Sequence, residues 1–311
     1  MGSEVYRLMS GPSLLLVLTY LSVLVFGAGV ILRTLKYARA PMHLRWELYP
    51  VPHEKGRAEY GGSYFEEVDW WSHPRETTLV GEIQAMLEEM LLIRSLWHRN
   101  RSQWYASFPF HGGLYLLFGF TLLLAVGAIA EAAGAAGGIW FGLLEGLTLL
   151  AGTVGLASGT AGALGLLWRR LTDEKLKFSS TTSDYVNLLL ILAVFLTATF
   201  AWLTADPSFA QLRGFVRGAL TFSPAAQVAP AVAVQVVVAA IFLIYLPFTH
   251  MTHFVAKYFT YHQVRWDDAP NLGDPGMMAR MQANLARPVG WSAPHIQGSD
   301  KSWAEAATEV K

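Results

Sequence analysis

Five stretches of this chain run for about 20 residues or more with almost no ionisable side chain, and that leaves few folds open. A helix needs about 20 apolar residues to cross the hydrocarbon core of a bilayer. Ser13 to Leu32 carries no charge, and neither does Tyr185 to Ala205. Phe108 to Ala130 carries only His111, and Gly137 to Trp168 only Glu145. Gln227 to Ala256 carries only His250 and His253. Inside lipid the backbone must satisfy its own hydrogen bonds, so runs like these become helices. Charged residues make up 15% of the chain, against about 25% in soluble domains, as lipid-facing surface requires. The expected fold is all-α, an integral membrane bundle of five helices. The first run is too long, and its leader too poor in positive charge, for a cleaved signal peptide, so it reads as a retained signal anchor.

The basic residues set the expected orientation. Arg33, Lys36 and Arg39 follow the first run, and Arg99 and Arg101 precede the second. Arg169, Arg170, Lys175 and Lys177 lie between the third and fourth, and Lys257 and Arg265 follow the fifth. The loop from Ala132 to Ala136 has no Lys or Arg, and the one between runs four and five has only Arg213 and Arg217. The positive-inside rule then places the N-terminus in the periplasm and the C-terminus in the cytoplasm. The expected setting is the inner membrane of a bacterium, crossed several times, with lipid as a partner and no nucleic acid.

The chain divides accordingly into residues 1–38, the first span; 39–106, a cytoplasmic segment; 107–258, spans two to five; and 259–311, a cytoplasmic tail. The segment from Arg39 to Thr78 is rich in aromatics and prolines and has no clean period, so it reads as irregular and extended. Its Trp, Tyr and Arg residues suit packing on helix ends or an interface with another protein. Val80 to Trp97 reads as one amphipathic helix, with Ile83, Leu87, Met90 and Leu91 on one face, lying along the membrane surface or packed under the aromatic loop. The tail from Tyr258 is too short for a core of its own and reads as a docking segment for a partner.

There is no cysteine, so this chain offers no disulfide, no thiolate ligand for an iron–sulfur cluster and no C-x-x-C-H attachment of a c-type haem. Any iron–sulfur chemistry belongs to a partner. Six of the nine histidines lie outside the spans: His43, His53, His73, His98, His262 and His295. His111, His250 and His253 do not, and ionisable residues within membrane helices are costly and usually functional. The topology puts all three at similar depth near one membrane face. Two imidazoles from separate helices at matched depth can hold a haem iron from opposite sides. Gly112, Gly113 and Gly119 would leave room for a flat macrocycle, although close helix packing is their other use. His250 and His253 are three residues apart on neighbouring parts of one face, and geometry alone does not choose between them.

Several of these motifs resemble the gamma subunit of respiratory nitrate reductase, a five-helix cytochrome b, and still more the related membrane subunits of sulfate-reducer redox complexes of the Tmc, Hmc and Dsr type. Phe108-Pro109-Phe110-His111 is similar to the family's second-helix motif, and Leu246-Pro247-Phe248-Thr249-His250-Met251-Thr252-His253 to its fifth-helix motif. Ser180-Thr181-Thr182-Ser183-Asp184 before the fourth span also resembles the family. Leu44-Arg45-Trp46-Glu47-Leu48-Tyr49-Pro50 and Trp291-Ser292-Ala293-Pro294-His295-Ile296 resemble the sulfate-reducer branch. The resemblance implies one haem b on His111 and His253, with His250 secondary. Arg101 and Lys257 would then lie near its propionates. A second haem, present in the nitrate reductase subunit, would need ligands at Thr121 and Gln235, neither a usual one. Gln235 lies eighteen residues before His253, about 27 Å along a continuous helix, near the opposite face. The implied partners are menaquinone or another quinone, a cytoplasmic iron–sulfur subunit like that of heterodisulfide reductase, and periplasmic multihaem cytochromes c. Two other functions compete with electron transfer. One is a haem-free anchor that assembles a complex. The other is a proton or ion transporter relaying through Glu145 and the histidines.

Overall fold

The computed structural model describes residues 11–39, 78–223, 227–260, 275–290 and 301–308. The aromatic loop between Arg39 and Thr78 and the motif Trp291–Ile296 therefore lie outside the described residues, as do His43, His53, His73, His262 and His295.

Among the described residues the named elements are all helices, with one isolated β-bridge between Pro288 and Ser302. In chain order the helices are α1 (Gly11–Arg39), α2 (Leu79–Leu92), α3 (Arg94–Arg99), α4 (Arg101–Ala132), α5 (Gly138–Thr172) and α6 (Glu174–Ser179). Then follow α7 (Thr182–Thr204), α8 (Ala210–Leu220), α9 (Pro230–Tyr245), α10 (His253–Thr260), α11 (Pro275–Leu285) and α12 (Trp303–Thr308). Five of them, α1, α4, α5, α7 and α9 with the turn after it, are long and apolar enough to cross a membrane. α4 and α7 outrun their charge-poor stretches, and polar residues cap their starts. Asn100 Oδ1 accepts from the Gln103 backbone N–H at 3.1 Å before α4, and Asp184 Oδ2 accepts from the Thr181 backbone N–H at 2.8 Å before α7.

Three local features depart from the sequence-based expectation. The helix expected over Val80 to Trp97 is two helices, broken at Ile93, which sits in the left-handed region at φ 51. The connection between the fourth and fifth spans contains a helix of its own, α8, entered through Phe209 at φ 57. The fifth span is also not continuous to Ala256. It ends at Tyr245, passes through a 3-10 turn at Leu246–Phe248 and an extended Thr249, then a second 3-10 turn at His250–Thr252 before α10. Pro247 lacks the N–H that would have continued the ladder. His250 and His253 therefore do not share one helix with Gln235, and the 27 Å separation, which assumed a straight helix, does not carry over.

The chain forms two compact units: Met1–Val30 with Glu88–Met251, and Ile31–Leu87 with Thr252–Lys311. In the first, α4 and α5 meet backbone to backbone at Gly113 and Gly162, where a Cβ would overlap the backbone of the facing helix; a Cβ on Gly155 would press on Leu117 of α4, and one on Gly159 on the Phe195 ring of α7. Around that seam Phe110, Phe120, Leu124, Leu156, Ala163, Leu188, Ile191, Leu192, Phe195 and Phe209 form the core. The first turns of α1 pack on α8 and α9 through Leu16, Phe215 and Val236, and Tyr20 donates to the Ala219 carbonyl at 2.8 Å. Further along α1, a Cβ on Gly29 would lie 2.5 Å from that of Pro247.

In the second unit the Tyr37 and Phe259 rings approach to 6.1 Å. Within the tail, the described residues around α11 and α12 are tied together. Val289 is fully buried and its N–H donates to the Lys301 carbonyl at 2.8 Å, while the Trp303 N–H donates to the Arg287 carbonyl at 3.0 Å. The backbone N–H of Ser302 and its hydroxyl hold the Glu305 carboxyl below the usual range, which caps α12.

Candidate functional site

His111 stands in the third turn of α4, half-buried, after Pro109 within the same helix. Its Nδ1 lies 2.8 Å from the Ser107 carbonyl oxygen. A carbonyl can only accept, so Nδ1 carries the proton and Nε2 carries the lone pair. That is how a metal-binding imidazole is oriented, with one nitrogen tied to the backbone and the other presented to the ion. The three glycines beside it divide. A Cβ on Gly113 would meet the Gly155 carbonyl oxygen at 2.8 Å, so Gly113 serves helix packing. Gly112 and Gly119 have nothing within 4 Å and keep space open along α4.

Tyr115, one turn on from His111, has its ring centroid 6.5 Å from the imidazole. Its hydroxyl donates to the Met90 carbonyl at 2.6 Å, and Trp104 Nε1 donates to the Leu92 carbonyl at 2.7 Å. Two aromatic donors of α4 thus satisfy the last carbonyls of α2, which its own helix leaves unpaired. Trp104 also stacks on Phe108 at 4.5 Å and meets Trp97 edge-on at 4.7 Å. Arg101 places its guanidinium 4.8 Å from the Trp97 ring centre, a cation–π contact.

His250 sits beyond the end of the apolar helix, with its side chain 58% exposed. Its Nε2 lies 3.3 Å from Asp184 Oδ1 and 3.2 Å from Asn187 Nδ2, both on α7. Asp184 is held in turn by Thr181 and by Arg170, whose guanidinium is 3.8 Å away at the end of α5. Sequence reasoning missed these partners of His250. The spacing of Thr181 and Asp184, a capping box at a helix start, was the available signal for Asp184. Nothing marked Asn187. His253 opens α10 in the second unit and is exposed, and Lys257 follows it by one turn. Among the described residues no three His, Cys, Asp or Glu side chains cluster as ligands for a bare metal ion.

Thr121 is exposed and donates to the Leu117 carbonyl of its own helix at 2.9 Å. Gln235 accepts from the Thr197 hydroxyl at 2.6 Å. At the far end of α4 the sequence had left Glu145 as a candidate relay group. It is the partner of a buried arginine instead. Arg213 on α8 reaches Glu131 Oε1 at 2.6 Å and Glu145 Oε1 at 2.7 Å, and Arg217 approaches Glu131 at 3.4 Å. Glu131 is twenty residues beyond His111 on the same helix, about 30 Å away, so this pairing is remote from the histidine.

The sequence model of a family described as nitrate reductase gamma subunit matches residues 94–267, more than half of the chain. The chain belongs to this family. Comparison with curated proteins and with solved structures returned no match. The nitrate reductase gamma family consists of membrane cytochrome b subunits of quinone-linked redox complexes, and its members bind haem b. The matched residues run from α3 to beyond α10, so they include His111, Asp184, Asn187, Arg213, His250 and His253. Haem fits what this chain offers beside His111: an imidazole with its lone pair on Nε2, and open space at Gly112 and Gly119. Membership also accounts for a multi-pass chain built to work with partner subunits.

Proposed function

We propose that this chain is a cytochrome b subunit of a respiratory complex in a bacterial inner membrane, with its N-terminus periplasmic, its C-terminus cytoplasmic and one haem b held between His111 and His253. The observation that carries the reading is the bond of His111 Nδ1 to the Ser107 carbonyl, which orients the ring as a ligating imidazole is oriented. His253 is preferred to His250 because it stands at the ligand's place in the segment Leu246 to His253 that resembles the family's fifth-helix motif. When bound, haem supplies one-electron transfer at a potential set by its axial ligands and burial. The chain's own residues do the rest. His111 and His253 fix the iron, Gly112 and Gly119 leave room, and Arg101 and Lys257 offer positive charge to the propionates. Electrons pass between a quinone, menaquinone in this reading, and a cytoplasmic iron–sulfur subunit resembling that of heterodisulfide reductase. The aromatic loop and the tail dock that partner, and periplasmic multihaem cytochromes c complete the assembly.

Haem per polypeptide, by pyridine haemochrome, tests this on the purified wild type and on His111→Ala, His253→Ala and His250→Ala. One b haem is expected in the wild type and in His250→Ala, and none in the other two. Two haems in the wild type would reveal a second site. A haem-free wild type leaves the membrane-anchor function in place of electron transfer.

A further inference from the structure

A hollow of about 400 Å³ opens between α7 and α9, lined by Leu196, Thr197 and Phe200 of the first and by Pro230, Ala231 and Val234 of the second. Its size is within the range of small-molecule sites, about 300–1,000 Å³. Every lining residue but Thr197 is apolar, and Leu196, Phe200 and Val234 are each at least half exposed. Both helices are long and apolar enough to cross a membrane, so an exposed rim on them meets the bilayer. A space of this kind cannot stay empty in lipid without forfeiting van der Waals contact along its walls.

One polar group stands beside the hollow with half of its bonding unmade. Gln235 follows Val234 directly and comes one turn after Ala231. Its Oε1 accepts from the Thr197 hydroxyl at 2.6 Å. Its Nε2 donates to no described residue, and it is not among the atoms sealed inside the protein. Within an apolar span such a donor needs an acceptor, because no water is there to supply one. Gln235 is five residues beyond Pro230, about 7.5 Å from the start of α9. Helical side chains lean toward the N-terminus of their helix, which for α9 is the end at the membrane surface. The amide is thus aimed at the level where acyl chains join their ester groups.

We infer that the hollow holds one acyl chain of a phospholipid, with the ester carbonyl of that chain accepting from Gln235 Nε2. The chain fills the room that the small Ala231 leaves between the helices, next to the bond from Thr197 to Gln235 that already joins them. A quinone also carries a carbonyl on a long hydrocarbon. However, Thr197 lies ten residues beyond Asn187 on α7, about 15 Å along the helix from the residue that touches His250. The site is set apart from that histidine, and a lipid needs no redox partner. The inference rests on α7 and α9 crossing the membrane and not on the cytochrome b reading.

The test uses the full-length protein, delipidated in detergent and titrated with dioleoylphosphatidylglycerol, with bound lipid counted by native mass spectrometry. The wild type is expected to carry one phospholipid more than Ala231→Phe, whose ring occupies the hollow; circular dichroism checks that the variant is folded. Gln235→Leu should bind that lipid about fivefold more weakly, as the loss of one hydrogen bond predicts. Thr197→Val, which keeps the amide and the shape of the lining, should bind it as the wild type does. The ether-linked analogue of the same lipid has no ester carbonyl and leaves the protein unaltered, and it should bind the wild type as weakly as the ester lipid binds Gln235→Leu. Equal lipid counts on wild type and folded Ala231→Phe would overturn the inference. So would equal binding of ester and ether lipids, or a quinone or a second copy of the chain retained on the wild type in place of the phospholipid.

Discussion

Gly113→Ala will destabilise the bundle by about 3 kcal/mol, the upper end of what one inserted methyl costs in a packed interior. The reason is what the methyl would strike. A Cβ at Gly113 overlaps the backbone nitrogen of Gly159, lies 2.5 Å from its Cα and 2.8 Å from the Gly155 carbonyl oxygen. Gly162 is in the same state against the backbone of Phe110, with its Cβ 2.6 Å from the Phe110 Cα. A flexible side chain could turn aside, but a helix backbone cannot, so α4 and α5 must separate. In lipid that pair is held by close van der Waals packing and not by escape from water, so separation removes most of what joins them. The gap would open beside Ala163 and Phe195, two of the most buried residues of the core. Gly112→Ala and Gly119→Ala are the controls, since nothing lies within 4 Å of either, and both should stay within about 0.5 kcal/mol of the wild type. Thermal unfolding of the haem-free protein in detergent, followed by circular dichroism, reads all four. Equal melting of Gly113→Ala and wild type would disprove the backbone contact.

The same glycines show where sequence reading stops. Five charge-poor runs were enough to place five spans, because length and apolarity alone decide what crosses a bilayer. Which glycine faces a neighbouring helix and which faces open space depends on rotation about the helix axis. Gly112 and Gly113 are adjacent in sequence yet point to different surroundings. The break in the fifth span was half legible. Pro247 signalled it, but the extended Thr249 and the second turn at His250 follow from packing that no local propensity records. The left-handed Ile93 and Phe209 had no signal at all, since neither residue type favours that region. Of the candidate site, the sequence singled out His111 because a lone ionisable group in a long apolar run stands out. The restraint of His250 by Asp184 and Asn187 was not, as it joins residues more than sixty positions apart.

Arg213 was the least legible residue of consequence, and its removal carries the second large effect. The sequence presented it as one of two loop charges, and Glu145 as an isolated acid in a span. In the fold Arg213 is 7% exposed and joins Glu131 of α4 to Glu145 of α5, with the Phe141 ring 5.4 Å from its guanidinium. Arg213→Ala leaves Glu131, whose side chain is 17% exposed, with only the more distant Arg217. Stranding one member of a buried pair costs about 3–5 kcal/mol. Because the Glu145 side chain is 47% exposed, its share is small and the expected loss is about 3 kcal/mol. Arg217→Ala, at a side chain 46% exposed, should cost less than about 1 kcal/mol. Adding Glu131→Gln to Arg213→Ala should recover stability, since the stranded charge is then gone. Gly127 supplies an independent check that removes no charge. Its Cβ would lie 2.8 Å from the Arg213 Cδ, so Gly127→Ala should push the guanidinium off its carboxylates and destabilise the wild type. With Arg213→Ala already in place the same substitution has nothing to strike and should be near neutral. Additive losses from the two substitutions would mean that Gly127 and Arg213 act separately, and that the arginine stem does not run past this glycine to reach the acids.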